Sequence, residues 1–158
     1  MCYKYIMKKV LLAAVLFLAG CGAGNKQDTQ APLQAGIDEE AHTIVLDEDT
    51  YFSTMVMVLA FPDKYEGYEV SIFGSVDRIR YHEDDGFFVG RTVVTCCLED
   101  AEFMGLVCLC DDAADYSHGD WVNVYGTLHS SGNVRELVDT TVMRAEAPKE
   151  IYLYPAEN

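Results

Sequence analysis

Between residues 68 and 148, apolar side chains alternate with polar ones along five successive segments, several of which contain a glycine. Alternation with a period of two is typical of β-strands with one buried face, because successive side chains point to opposite faces of a sheet. The predicted strands are 68–81, 87–97, 104–112, 120–130 and 134–148. Glycine at positions 74, 90 and 126 weakens a flat strand but permits the bends that a small closed sheet needs. The sequence therefore predicts a mostly β fold.

The five predicted strands follow one another without a long helical segment between them. We interpret them as a meander that closes into a single OB-like five-stranded β-barrel, with a β-sandwich as the alternative. A short strand over residues 42–46 and one amphipathic helix over residues 50–60 precede the barrel, and Pro62 ends the helix. The apolar stripe at helical spacing, which is predicted to face the core, comprises Phe52, Met55, Val56 and Leu59.

The N-terminus has the composition of an export signal. Three lysines precede an apolar run, VLLAAVLFLAG (residues 10–20), which is too short to span a membrane as a stable helix. The residues LAGC (18–21) resemble the lipobox of bacterial lipoproteins, and this resemblance implies cleavage before Cys21 and a diacylglycerol on its thiol. An ordinary signal peptide with a nearby cysteine is the alternative. Met7 opens a more compact signal than Met1, so both are candidate start sites.

The chain is thus divided into a signal peptide (1–20), a flexible lipid-anchored tether (21–41) and one folded domain (42–158). The tether is rich in Gly, Ala, Gln and Asp and has few bulky side chains, as flexible linkers do. We expect the protein to be anchored to membrane lipid through Cys21, on the extracytoplasmic face of the cell membrane.

The chain is strongly acidic. It contains 11 Lys and Arg against 26 Asp and Glu, a net charge of −15. Loss of residues 1–20 removes three lysines and no acids, which leaves 8 basic against 26 acidic residues and a net charge of −18. Such a charge repels nucleic acid and anionic headgroups, so no nucleic-acid partner is expected, although the charge also suits plain solubility.

Four of the six cysteines lie within fifteen residues, in the segment CCLEDAEFMGLVCLC (96–110). Cys108 and Cys110 share one face of a strand because they are two residues apart. If the predicted strands 87–97 and 104–112 form a hairpin, one of these thiols is expected near Cys96 or Cys97. Gathered thiolates favour zinc or copper(I), and Asp100, Asp111 or His118 are carboxylate or imidazole groups that would complete a site. The predicted metal ligands are Cys96, Cys97, Asp100, Cys108 and Cys110.

Two alternatives to a metal site remain for these cysteines. An extracytoplasmic compartment oxidises thiols, so a disulfide or a thiol-redox role would use the same residues. Free cysteine also packs as a small hydrophobic residue. No Cys-x-x-Cys follows a βαβ pattern, which argues against thioredoxin-like chemistry, and the four histidines are scattered. Neighbouring acids disfavour thiolate nucleophiles, whereas a divalent cation would be neutralised by them. We therefore expect a binding protein and not an enzyme.

Four segments in order carry a resemblance to a known family. They are PDKYEGYEVSIFGSV (62–76), FFVGRTVVTCCLEDA (87–101), GDWVNVYGTL (119–128) and APKEIYLYP (147–155). Together they resemble the C-terminal soluble domain of a bacterial membrane-protein family of predicted permease subunits. The residues that match its pattern are Tyr65, Gly67, Arg91, Cys96, Cys97, Asp100, Ala101, Trp121, Gly126 and Tyr154. The chain departs from the pattern in its lipid anchor, which stands in place of transmembrane helices, and in the additional cysteines of CLC (108–110).

The resemblance implies a membrane-anchored extracytoplasmic binding module that assists a membrane permease. It also implies a link to zinc, which is the ion expected at the cysteines. Arg91 is a candidate cation for stabilising one thiolate, because it opens the segment that leads to Cys96.

Overall fold

The computed structural model describes residues 36–81 and 83–155. The predicted signal peptide, the predicted lipidation site at Cys21 and most of the predicted tether lie outside the described residues. Within the described ranges, eight strands and one α-helix are present. That helix spans ten residues, and the same ranges contain no helix long and apolar enough to cross a membrane.

The elements follow the predicted order closely. The helix, α1, covers Tyr51–Ala60, and three short 3₁₀ turns cover Pro62–Lys64, Leu98–Asp100 and Ala113–Asp115. The strands are β1 (Ile37–Asp38), β2 (Thr43–Leu46), β3 (Glu69–Asp77), β4 (Gly86–Val93), β5 (Glu102–Leu109), β6 (Trp121–Ser131), β7 (Val134–Ala145) and β8 (Tyr152–Leu153). The mostly β prediction is confirmed. Two short strands were not predicted: β8, and β1, which lies in the segment interpreted as tether.

The five long strands form a closed ring. β3 pairs with β4 and β6, β4 pairs with β5, β5 pairs with β7, and β6 pairs with β7. All of these pairings are antiparallel except β5–β7, which is parallel and joins only two residue pairs. β2 and β1 extend the sheet beside the first half of β3, and β8 pairs with the end of β4.

The predicted meander is wrong for the second half of the ring. β6 does not follow β5 in the sheet but returns to lie beside β3, and β7 then closes the ring against β5. The connection from β5 to β6 therefore crosses one end of the ring, through the turn Ala113–Asp115. Alternation of apolar residues specifies which face of a strand is buried, but it carries no information about which strand is its neighbour.

Glycines allow three strands of the ring to approach closely. A Cβ at Gly74 would lie 2.5 Å from the carbonyl oxygen of Gly90, and a Cβ at Gly90 would lie 2.1 Å from that of Met104. Gly74 also marks the point where the partner of β3 along this edge changes from β2 to β4. Glycine at these positions thus permits the close approach of β3, β4 and β5, whereas strong bending of the strands stays a prediction.

α1 lies where the sequence predicts it, but its buried face differs. Asp47 stabilises the helix start, since its Oδ1 accepts hydrogen bonds from the amide (3.0 Å) and hydroxyl (2.9 Å) of Thr50. The buried residues of α1 are Tyr51, Thr54, Met55 and Val58. Val56 and Leu59, predicted to face the core, are 41% and 43% exposed. The helix is apolar on nearly every side, so spacing alone does not define one stripe.

The core lies inside the ring and between the ring and α1. Its largest fully buried side chains include Tyr51, Tyr65, Phe87, Ile44, Ile72, Leu106, Leu128 and Leu137. Tyr51 links the helix to the ring, because its hydroxyl donates to the carbonyl of Met104 (2.9 Å) and accepts from the amide of Arg91 (3.1 Å). Burial raises the pKa of Tyr51 well above its ordinary value, so this phenol stays protonated as a donor.

Candidate functional site

The loop that joins β4 to β5 places the vicinal cysteines. β4 ends at Val93, which faces Glu102 at the start of β5, so residues 94–101 form the connection. Its first residue is fixed by a hydrogen bond from the Val94 amide to the Leu153 carbonyl (2.8 Å). A 3₁₀ turn follows, in which the Asp100 amide donates to the Cys97 carbonyl (3.0 Å). The loop therefore begins at a strand end that is held by a hydrogen bond, and its 3₁₀ turn brings Asp100 back to Cys97.

Cys96, Cys97 and Asp100 converge at this turn. The two sulfur atoms and a carboxylate oxygen all lie within 4.8 Å of one another. The Cys97 thiol donates a hydrogen bond to Oδ2 of Asp100 at 3.4 Å. Both cysteines are free thiols, and all three side chains are exposed to solvent. Three of the five predicted metal ligands are thus brought together.

The donor set of this triad fits a zinc ion. Zn²⁺ binds thiolate sulfur and carboxylate oxygen, and structural zinc sites use four protein ligands that enclose the metal. Two sulfurs and one oxygen on an exposed turn would leave a fourth position for water or another ligand. An open position and solvent access distinguish this arrangement from the closed four-ligand sites that hold structural zinc.

The structure does not bring Cys108 and Cys110 to this triad. Cys108 faces Phe87, which is six residues from the Val93 end of β4, so about 20 Å of strand separates it from the triad. Cys110 donates its amide to the Asp85 carbonyl (3.0 Å), beyond the same far end of β4. Neither Cys108 nor Cys110 can therefore supply a third sulfur to the triad, because the hairpin ladder holds the two cysteine pairs at opposite ends.

The distant cysteines have a different character. The Cys108 side chain is fully buried in the core, and this burial raises the pKa of its thiol to about 11. Burial also raises the pKa of Cys110, and the neighbouring Cys108 and Asp112 act in the same direction. Of the three interpretations of the cysteines (metal ligand, disulfide or redox group, and packed hydrophobic residue), packing describes Cys108 well.

Arg91 does not point at the thiols, contrary to its candidate role as a thiolate partner. Its guanidinium is buried, lies 5.4 Å from the ring centre of Phe73 and 5.1 Å from that of Trp121, and donates to the Glu150 carbonyl at 2.8 Å. A weaker contact of 3.3 Å reaches the Glu48 carboxylate. Arg91 therefore joins strands to the C-terminal segment.

The other matched positions also support the fold. Tyr65 is buried, and Gly67 has a φ of 79°, a left-handed conformation that favours glycine. The Gly67 amide donates to the Leu128 carbonyl at 2.8 Å, which ties the entry of β3 to β6. Trp121 is half-buried, with its ring centre 5.2 Å from that of Phe73.

A cleft of about 320 Å³ adjoins the triad loop, and sequence reasoning missed most of it. Its lining includes Asp77, Arg80, Ala101, Phe103 and His118. Ala101 is the last residue of the loop that carries the triad, so the loop contributes to one wall of the cleft. His118, an expected additional ligand, lies 3.7 Å from Asp77 through its Nδ1. Asp111, the other additional ligand, is exposed in the turn after β5, beside Cys110.

Asp77 organises this cleft. Although burial opposes its ionisation, hydrogen bonds from the Ile79 and Arg80 amides, together with the Arg80 side chain, lower the pKa of Asp77. The amide hydrogen bonds are 2.7 and 3.1 Å long. Arg80 in turn lies over the Phe103 ring, 4.9 Å from its centre. The only local signal for this arrangement is the Asp-x-x-Arg spacing at a strand end, which is common in turns that carry no site.

No curated protein matches this sequence at a significant level. Comparison with protein families gives a match: residues 23–155 match the family described as the DUF1980 C-terminal domain. The match covers most of the chain, including all eight strands, α1 and the Cys96–Cys97–Asp100 turn. The chain therefore belongs to the DUF1980 C-terminal domain family.

Proposed function

We propose that this protein is a membrane-anchored, extracytoplasmic zinc-binding module that assists a membrane permease. The observation that carries the proposal is the convergence of two free thiols and one carboxylate within 4.8 Å on an exposed turn. The exposed position favours passing an ion to a partner over locking it into the fold. The lipid anchor at Cys21 would keep the site close to the membrane, where a permease works.

We further propose that the ring is an OB-like barrel. Five strands close on themselves, and the long connection from β5 to β6 gives the ring a Greek-key order and not a simple meander. A parallel contact between the third and fifth strands of the ring supports the same assignment. In a fold of this kind the loops at the strand ends are free to carry a ligand site, and the triad occupies such a loop.

Thiol-redox function is the second candidate, and the adjacency of Cys96 and Cys97 as free exposed thiols favours it. Oxidation would join the same two sulfurs that the zinc site needs. Turnover of a model disulfide that is lost in Cys97→Ala would support this candidate against the zinc site.

A zinc titration of the reduced full-length chain in detergent tests the primary proposal. We expect a dissociation constant tighter than about 1 μM. Replacing Cys97 by Ser should weaken binding at least about tenfold, because one of three protein ligands is lost. Cys110→Ser is the matched control, since Cys110 lies at the other end of the hairpin, and it should change little. Binding weaker than the stated limit, or equal effects of the two variants, would reject the zinc site.

A further inference from the structure

A groove of about 460 Å³ lies on the outer face of the sheet, away from the thiol triad. Strands β2, β3, β6 and β7 cross its floor side by side. The strand register places Glu69 beside Thr127, and Ser71 beside Tyr125, so that two rows of outward side chains run across the sheet. Tyr125 is 45% exposed in the second row. The groove thus combines an accessible aromatic ring with polar side chains on a rigid sheet.

A β-bulge shapes one wall of the groove. Tyr125 faces Thr141 and Thr127 faces Val138, so Gly126 alone on β6 is opposite two residues on β7. One of these, Asp139, has a φ of 52°, a left-handed conformation that is uncommon for residues other than glycine. A Cβ at Gly126 would lie 2.8 Å from the side chain of Thr140, so glycine permits the strands to approach here. The bulge turns Asp139 into the groove lining.

The charges in the groove have one sign. Glu69 and Asp139 line it from strands that lie two strand spacings apart, which is about 10 Å. Among the residues that the structure describes, no Lys, Arg or His lines the groove. Hydroxyl groups of Thr43, Ser71 and Thr127 stand between the two carboxylates or beside them. Two carboxylates on strands about 10 Å apart suit a ligand with two separated positive charges.

We propose that this groove binds a linear polyamine. Its terminal ammonium groups would pair with Glu69 and Asp139, and its methylene chain would lie against Tyr125, whose ring face also attracts cations. The hydroxyl groups would accept hydrogen bonds from the remaining N–H groups. The net charge of −15 raises the local concentration of such cations around the protein. This site is independent of the zinc triad.

Calorimetric titration of the full-length chain in detergent with spermidine tests the proposal. Glu69→Gln and Asp139→Asn each remove one charge and keep the side-chain shape, and asparagine tolerates the left-handed backbone at position 139. We expect each substitution to weaken binding about threefold to tenfold, as the loss of a partly exposed ion pair does. Glu146→Gln is the control, because it removes one charge beyond the end of β7, and it should change affinity less than about twofold.

Two further measurements make the result decisive. Butylamine, with one ammonium group, should bind at least about tenfold more weakly than spermidine if both carboxylates are used. In the unsubstituted protein, amide chemical-shift changes on adding spermidine should concentrate on β3, β6 and the bulge. This measurement locates the ligand without relying on the substitutions. Equal weakening by Glu146→Gln would indicate attraction to the overall charge only, and it would overturn the proposal. So would binding of uncharged 1,8-octanediol as tight as that of spermidine.

Discussion

Arg91 shows how a charged residue can serve as a core residue. Its side chain is 1% exposed and lies against two aromatic rings, those of Phe73 and Trp121. Its Nη2 donates to the Glu150 carbonyl, and its Nε has no hydrogen-bond partner among the described residues. A planar guanidinium can stack and donate at its edge at the same time, which the ammonium of lysine cannot do. The arginine thus contributes through its shape as well as its charge.

We predict that Arg91→Lys destabilises the protein by about 2–3 kcal/mol, because it leaves a buried charge without its stacking and with fewer hydrogen bonds. The free energy of unfolding in urea measures this loss. Arg135→Lys is the control, since the Arg135 guanidinium donates to carbonyls of its own hairpin, those of Gly132 and Val134. A cost for Arg91→Lys no larger than that of the control would contradict the structural role.

The structural role of Arg91 could not be predicted from the sequence, for a physical reason. Its position before the cysteines suggests a role at the thiols, but on a strand the direction of a side chain is decided by the sheet around it. The two rings that hold it come from β3 and β6, which are distant in sequence. Tertiary contacts of this kind leave no periodic pattern in a single sequence.

At the scale of elements, most strands and α1 could be predicted because alternation and helical spacing are local. The predicted strand 87–97 places Cys96 and Cys97 at its end, but β4 ends at Val93 and both cysteines lie in the loop that follows it. Counting residue pairs from the hairpin loop would have predicted that Cys108 lies far from Cys96 and Cys97. Val93 and Glu102 flank that loop, so Cys108 lies six pairs further along the ladder. Neighbour order in the ring, by contrast, depends on non-local contacts.

The hairpin predicts two classes of thiol. At pH 8, iodoacetamide should modify Cys96 and Cys97 in the native reduced chain, because both are exposed. Cys108 should resist modification until the protein unfolds, since it is fully buried and its thiol pKa is raised to about 11, which leaves almost no thiolate at pH 8. Cys110 is expected to react slowly because the pKa of its thiol is also raised. Peptide mass mapping over time distinguishes the four positions.

Unfolding the same sample in urea provides the control for that experiment. All four thiols should then react at similar rates, because burial no longer separates them. Fast modification of native Cys108, or protection of native Cys96 and Cys97, would show that the two ends of the β4–β5 hairpin are assigned incorrectly.

At the scale of the whole molecule, the proposed zinc triad, the proposed polyamine groove and the proposed anchor occupy different parts of the chain. The triad lies on the β4–β5 loop, whereas the groove lies on the face formed by β2, β3, β6 and β7. The two sites share an acidic protein that attracts cations generally. A lipid anchor would hold both near the membrane surface, and it would determine where either site can act.

We predict that Cys21→Ala abolishes membrane attachment. Diacylglycerol supplies two acyl chains, which anchor a protein stably, whereas a single chain gives only marginal binding. Without the Cys21 thiol, the chain should accumulate as an unprocessed precursor or be released from the membrane, as cell fractionation and the mass of the product would show. Cys2→Ala is the matched control, because Cys2 lies ahead of the proposed cleavage site and even ahead of Met7. Normal processing together with unchanged membrane retention in Cys21→Ala would exclude this anchor.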